Sequence, residues 1–121
     1  MTLRLHHLAL RTGDVAALAA FYQDVFALTV LRDELPRSIW LGLGAEAVLM
    51  IEARTADEVP VAGGTPELFA FRVDAEALAR VRSNARRRGC YDGETDFTVY
   101  LRDPDGRRVG ASIYRFDREG R

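Results

Sequence analysis

The stretch HLALRTGDV, residues 7–15, runs from a strand pattern into the start of a helix. Its two leucines alternate with His7, Ala9 and Arg11, so the leucines lie on one face of a strand and the other three residues on the opposite face. A glycine then interrupts the alternation. Asp14 follows where a helix needs an N-cap, because its carboxylate can accept from the free N–H groups of the first turn. The stretch therefore predicts a strand that leads directly into a capped helix.

The rest of the first half adds three short strands to this strand and helix. The alternation begins at Leu3, and apolar residues at helical spacing continue from Val15 to Phe26. Three β-like runs follow, separated by a proline and a pair of glycines, at residues 29–32, 38–43 and 47–52. The order β, α, β, β, β thus fills residues 1–53. A segment with several proline, glycine and acidic residues, 54–67, is predicted to be a linker.

The second half repeats this order over residues 68–115. A strand at 68–73 precedes Asp74, which is placed to cap a second helix ending near Gly89. Two clear strands, 97–102 and 109–114, are joined by a DPDG turn at residues 103–106. Six residues of the first half recur in the same order: Ala9, Arg11, Asp14, Ala17, Leu18 and Ala19 match Ala70, Arg72, Asp74, Ala77, Leu78 and Ala79. We therefore predict an α+β domain made of two duplicated βαβββ modules, with a polar tail at 116–121.

Composition narrows the classes of function. Hydrophobic residues make up 48% of the 121 residues, which is enough for one core. All 17 basic residues are arginine, and the net charge of -1 provides no field that would attract nucleic acid or an anionic membrane. The arginines of the second helix are interpreted as a solvated helix face. Cys90 is the single cysteine, no apolar run is long enough for a membrane span, and no signal-peptide pattern is present, so we expect a cytoplasmic protein.

Three pieces of the chain resemble the vicinal oxygen chelate superfamily, which includes glyoxalases, bleomycin-resistance proteins and extradiol dioxygenases. They are the opening HLALRTGDV followed by FYQDVFAL at 21–28, the FAFRVD stretch at 69–74, and the DPDG turn. The resemblance implies that each module curls a mixed sheet, with its helix on the convex side and a cleft on the concave side. On that mapping the cleft residues are His7, Arg11, Met50, Leu68, Arg72, Tyr100, Arg102, Gly110 and Ser112.

The resemblance also identifies the positions of a metal site. Metal-using members hold a divalent cation with a histidine on the first strand of each module and a carboxylate on the last strand. The four matching positions here are His7, Met50, Leu68 and Gly110, of which only the first can bind a hard or borderline metal. Glu52 shares the strand face of the methionine and is an alternative ligand. We therefore expect no cofactor and no metal, with His7 kept as a hydrogen-bonded residue.

Two functions remain open on these grounds. The first is a metal-free protein that binds a small organic molecule, and arginines that line the cleft would favour one with an anionic group. Exposed charge is the commoner case, however, so Arg11, Arg72 and Arg102 are more often expected to be solvated or paired with Asp14, Asp74 or Asp103. The alternative is a lyase, isomerase or dioxygenase that uses a divalent metal, or His7, Glu52 or Tyr100 as acid or base. The resemblance implies a homodimer in either case, because many members complete the cleft between chains.

Overall fold

The computed structural model describes residues 1–116 and divides the chain into two compact units. The first unit is Met1–Pro60, and the second unit begins at Val61. The division falls inside the segment that the sequence predicts to be a linker, 54–67. Of the predicted tail, only the phenylalanine at 116 is described; residues 117–121 lie outside the described part of the chain.

Both units have the element order β, α, β, β, β. In the first unit these elements are β1 His7–Thr12, α1 Val15–Phe26, β2 Val30–Glu34, β3 Ser38–Gly44 and β4 Ala47–Ala53. In the second unit they are β5 Leu68–Arg72, α2 Ala75–Arg87, β6 Tyr91–Glu94, β7 Thr98–Arg102 and β8 Arg108–Ser112. The predicted α+β fold of two βαβββ modules is confirmed.

The two sheets also share one strand order. The first sheet is β1-β4-β3-β2 and the second is β5-β8-β7-β6. In each sheet the first and last strands of the unit pair in parallel, and the remaining pairs are antiparallel. A helix lies between the first and second strands of each unit, as a parallel connection requires. Residues at the same place in corresponding strands of the two units are therefore structurally equivalent.

Each helix covers one face of its own sheet. The side chain of Asp14 accepts from Ala17 N–H at the start of α1, and that of Asp74 accepts from Ala77 N–H at the start of α2. Helix α1 packs on β3 and β4, and α2 packs on β6, β7 and β8. The strand residues beneath the helices are fully buried: Leu41, Leu49 and Ile51 in the first unit, and Val99, Leu101, Val109 and Ala111 in the second. The opposite surface of each sheet, called here its open face, is free of its helix.

Three details differ from the sequence prediction. The strand predicted from Leu3 begins at His7, and the residues before it belong to no strand. Strand β6 at 91–94 was not predicted as a distinct element, because YDGE has no apolar alternation. Helix α2 ends at Arg87, two residues before Gly89, whose φ of 72° suits the left-handed turn after a helix.

Within residues 1–116, neither helix has the length and apolar character needed to cross a membrane.

Candidate functional site

The open face of the second sheet carries three rows of side chains that cross β5, β8 and β7. The polar row is Arg72, Ser112 and Thr98; the middle row is Ala70, Gly110 and Tyr100; the outer row is Leu68, Arg108 and Arg102. Members of a row are paired directly across neighbouring strands, and successive rows are two residues apart along each strand. All nine residues therefore face the same side of the sheet.

A pocket of about 410 Å³ lies on this face. This volume falls in the range of about 300–1,000 Å³ that is usual for small-molecule sites. Its lining is largely aromatic and apolar, with two aliphatic hydroxyl groups, two tyrosine hydroxyl groups and one charged group. The lining residues are Leu68, Ala70, Phe71, Arg72, Thr98, Tyr100, Ser112, Tyr114 and Phe116. All of them belong to the second unit.

Gly110, predicted from the sequence to line the cleft, is buried in the middle row and lies outside the pocket lining. A Cβ atom at this position would lie 3.1 Å from the Cβ of Ala70, 3.2 Å from Cγ2 of Thr98 and 3.5 Å from Cδ1 of Tyr100. Carbon atoms in contact prefer about 3.5–4.0 Å, so the first two approaches are too close. The neighbouring side chains therefore occupy the space that a side chain at this position would need.

The polar row offers hydrogen-bond donors to the pocket. Ser112 Oγ accepts from Thr98 Oγ1 at 2.7 Å and from the Tyr114 N–H at 3.1 Å. These two bonds use both lone pairs of the serine oxygen, which leaves its own proton to donate to another group. Arg72 donates through Nη2 to the Tyr114 carbonyl at 3.4 Å, and within residues 1–116 it forms no ion pair. The row thus combines a guanidinium with a hydroxyl donor.

Tyr100 is held by charged residues outside the lining. The Arg108 guanidinium lies 4.0 Å from the centre of its ring, in a cation–π contact. Arg108 Nε donates to Oδ2 of Asp92 at 3.1 Å, and Arg102 Nε donates to the same oxygen at 3.0 Å. One carboxylate therefore fixes two guanidinium groups of the outer row.

Arg102, predicted from the sequence to line the cleft, lies outside the pocket lining. Its Nη1 donates to the carbonyl oxygens of Thr65 at 2.7 Å and Gly106 at 3.0 Å. Together with the bond to Asp92, these contacts use the guanidinium to join three chain segments. Its role in this structure is to hold the loops next to the sheet.

The first sheet carries matching rows on its own open face. Arg11, Glu52 and Ser38 form one row, and Ala9, Met50 and Trp40 form the next. They correspond to the polar and middle rows of the second sheet. Where the second unit has a serine and a glycine on β8, the first unit has a glutamate and a methionine on β4.

The charge of Arg11 is neutralised within the first unit. Its Nη1 lies 3.3 Å from Oε1 of Glu52, and its Nε donates to Oε1 of Glu58 at 3.0 Å. The guanidinium of Arg11 lowers the pKa of Glu58 from 4.5 to about 2, with further lowering by hydrogen bonds from Thr55. Of the three arginines predicted to line the cleft, Arg72 alone lines the described pocket and lacks an ion pair within residues 1–116.

His7 is exposed at the start of β1 and contacts the other histidine of the chain. The Nδ1 atoms of His6 and His7 are 2.9 Å apart, so one ring donates to the other. Adjacent residues within one strand point to opposite faces of its sheet. The pleat does not apply to this pair, because the strand begins only at His7.

The two candidate acid and base residues of the first unit lie apart along the sheet. His7 pairs with Val48 across the β1–β4 ladder, whereas Glu52 pairs with Arg11, four residues further along. Four residues of strand span roughly 13 Å. Tyr100 belongs to the second unit. Within the first unit, His7 and Glu52 are therefore too far apart to share a proton directly.

The residues at the family's metal positions do not fit a divalent cation. His7 and Met50 are diagonal neighbours in the first sheet, and Leu68 and Gly110 are diagonal neighbours in the second. Together they supply one imidazole and no carboxylate, and a thioether is a poor ligand for the hard or borderline metals concerned. Among residues 1–116 no group of three or more His, Cys, Asp or Glu side chains is arranged to hold a metal ion.

Some residues in and around the site were not predicted from the sequence. Arg108 lies on the same strand parity as Gly110 and Ser112, and a strand prediction begun one residue earlier would have included it. Phe116 falls in the segment predicted as tail, yet it lines the pocket while 88% exposed. Asp92 belongs to the strand that lacks an apolar pattern, so no local signal marks it.

Two βαβββ units with one strand order define the class of fold. A sequence model of the Glyoxalase/Bleomycin resistance protein/Dioxygenase superfamily matches residues 4–110, and the chain belongs to this superfamily. It is 31% identical to the lactoylglutathione lyase of Salmonella typhimurium, over 88% of this chain and 90% of that protein.

Solved structures share the fold at lower identity. The fosfomycin resistance protein FosX of Listeria monocytogenes matches with a TM-score of 0.76 and 18% identity, over 96% of this chain and 94% of that chain. The lactoylglutathione lyase of Agrobacterium tumefaciens matches with a TM-score of 0.67 and 19% identity, over 90% of this chain and 92% of that chain.

Proposed function

We propose that this protein is a small-molecule-binding member of its superfamily that works without a resident metal. The observation that carries the proposal is the pocket of about 410 Å³ on the second sheet, with its aromatic lining and its single charged group. A concave, mostly apolar site with a few polar groups is the usual form of a small-molecule site. The donor set at the four metal positions supports the metal-free part of the proposal.

A related structure supports a small organic anion as the kind of ligand. A variant of the Listeria monocytogenes FosX protein has been crystallised with Mn(II) and 1S,2S-dihydroxypropylphosphonic acid. That complex shows a small anionic molecule bound by this fold in another protein. In the present chain, the polar row would serve an anionic group with Arg72 and Ser112.

The test is to block the pocket and follow a bound molecule. Ala70 lines the pocket, so Ala70→Phe would place a ring over its floor, whereas Ala79→Phe would add the same ring on the exposed side of α2. Native mass spectrometry of the purified protein is expected to show an additional small mass that Ala79→Phe retains and Ala70→Phe loses. A bound mass that survives Ala70→Phe would place the ligand elsewhere and contradict the proposal.

The alternative function is that of a lyase, isomerase or dioxygenase. The 31% identity to a lactoylglutathione lyase favours it, since this relative is an enzyme over nearly the same length. The discriminating measurement is the melting temperature with chelator and with added Ni, Zn, Mn or Fe(II), together with turnover of an α-keto or thiohemiacetal substrate. A ligand that binds only the folded state raises its stability, so a resident metal would give a chelator-sensitive melt. We expect no shift and no turnover.

We also propose that the protein is a homodimer, as the resemblance to its superfamily implies. Light scattering at micromolar concentration is expected to give twice the mass of one 13.5 kDa chain. A stable monomer would refute this part of the proposal and leave the pocket unaffected, because all its lining residues come from one unit.

A further inference from the structure

Building on the proposed binding function, we propose that the pocket takes a planar aromatic carboxylate. Its carboxylate group contacts Arg72 and Ser112 in the polar row, and its ring lies against Ala70 and Tyr100 in the middle row. The charge of the lining, the hydrogen-bond donors and the aromatic walls each support this assignment.

The charge of the lining selects an anion. Arg72 is the single charged group among the nine lining residues, and within residues 1–116 no carboxylate pairs with it. At the matching position of the first unit, the positive charge of Arg11 is neutralised, because Arg11 lies beside Glu52. Ser112 occupies the corresponding place on β8 and brings no charge. The second unit therefore retains a positive charge that the first unit cancels.

The donors of the polar row suit a carboxylate. A guanidinium presents two parallel N–H groups that match the two oxygens of a carboxylate. Ser112 Oγ already accepts from Thr98 and from the Tyr114 N–H, so its own proton is left for an acceptor in the pocket. Arg72 and Ser112 are direct partners across the β5–β8 ladder, which places both donors at the same end of the pocket.

The rest of the pocket suits a flat ring. Between its polar end and its aromatic walls it is lined by Ala70, whose side chain is a single methyl group. Aromatic side chains surround it, and Tyr114 packs edge-on against Phe116 with ring centres 4.9 Å apart. Tyr100 is fixed by the Arg108 guanidinium. Aromatic rings prefer offset-stacked or edge-to-face partners, so these walls favour an aromatic ligand over a saturated one.

The experiment measures dissociation constants by isothermal titration calorimetry with three probes that share one carbon skeleton. They are 2-naphthoate, its neutral amide 2-naphthamide, and the saturated acid decahydro-2-naphthoate. Arg72→Gln removes the charge from the pocket, and Arg80→Gln removes the same charge from the exposed face of α2 as the control. A thermal melt of each variant verifies that it is folded.

We expect the wild type to bind 2-naphthoate most tightly of the three probes. Arg72→Gln weakens 2-naphthoate by about tenfold or more, as expected for a charge-assisted bond, and leaves 2-naphthamide unchanged. Arg80→Gln changes neither. Ser112→Ala weakens 2-naphthoate by about threefold or more, and the saturated acid binds about threefold or more weaker than the aromatic one.

Two results would overturn the inference. Equal binding of the acid and the amide, unaffected by Arg72→Gln, would show a pocket that does not recognise a carboxylate, while binding itself would stand. Failure of the wild type to bind 2-naphthoate at all would also refute the ligand class. The proposed function would then rest on whether Ala70→Phe removes the co-purified mass, which is measured independently of these probes.

Discussion

Replacing Gly110 with alanine tests how tightly the residues of the middle row are packed around this glycine. The new methyl group would lie 3.1 Å from the Cβ of Ala70 and 3.2 Å from Cγ2 of Thr98. The first of these atoms is attached directly to the backbone, so it moves only if its strand moves. Overpacking of this kind costs about 1–3 kcal/mol. Alanine in place of glycine also restricts the unfolded chain, which stabilises the fold by about 0.4–1 kcal/mol. We expect a net loss of about 1 kcal/mol.

Urea unfolding of four variants measures this effect and assigns its cause. Gly63→Ala is the control, because a Cβ there meets nothing within 4 Å, and it should be neutral or slightly stabilising. Ala70→Gly alone should cost about 0.5–1 kcal/mol, as glycine does within a strand. The double variant Ala70→Gly with Gly110→Ala should cost less than the sum of its parts, because one methyl has left the contact. If Gly110→Ala behaves like the control, or if the two changes add within about 0.3–0.5 kcal/mol, the reasoning is refuted.

Two further predictions concern charged groups. Arg11 lowers the pKa of Glu58 from 4.5 to about 2, so this glutamate stabilises the folded state above pH 4.5 and loses that contribution as the pH falls from 4.5 towards 2. The melting temperature of Glu58→Gln should fall less steeply than that of the wild type over this window, and parallel curves would contradict the prediction. Asp103 is 4% exposed and accepts from the Arg107 N–H at 3.0 Å and from its Nη1 at 3.1 Å. Asp103→Ala should cost about 3 kcal/mol in urea unfolding and the exposed Asp96→Ala less than about 0.5 kcal/mol, whereas equal costs would be evidence against a structural role.

The fold could be predicted from the sequence because its signals are local. Alternation in residues 7–12 and 68–72 separates the face under the helix from the open face. Asp14 and Asp74 both cap a helix in the structure, as their positions predicted. Strand β6 could not be predicted in this way, since its residues pair with β7 and its Glu94 bonds Arg82 on α2. Those contacts come from tertiary structure and leave no periodic pattern.

Less of the site could be predicted from the sequence, because the role of an arginine depends on the carboxylates near it in space. Arg11, Arg72 and Arg102 occupy similar positions near strand ends and look equivalent in the sequence. In the structure Arg11 has two glutamate partners. Arg102 instead contacts Asp92 and two carbonyl groups. Thr65, one of these carbonyl partners, is 37 residues away in the chain. Strand parity identified the open face, but long-range contacts decide which charges remain available on it.

The matching rows of the two open faces have a consequence for how such a protein evolves. In a symmetric assembly of identical subunits, every substitution appears in all copies at once. Here the two copies of the βαβββ unit are joined in one chain, so each can be altered alone. Met50 and Gly110, and likewise Glu52 and Ser112, occupy equivalent places and have diverged. Duplication within the chain thus lets the two surfaces differ, so that Glu52 neutralises an arginine in the first unit while Ser112 leaves its equivalent charged in the second.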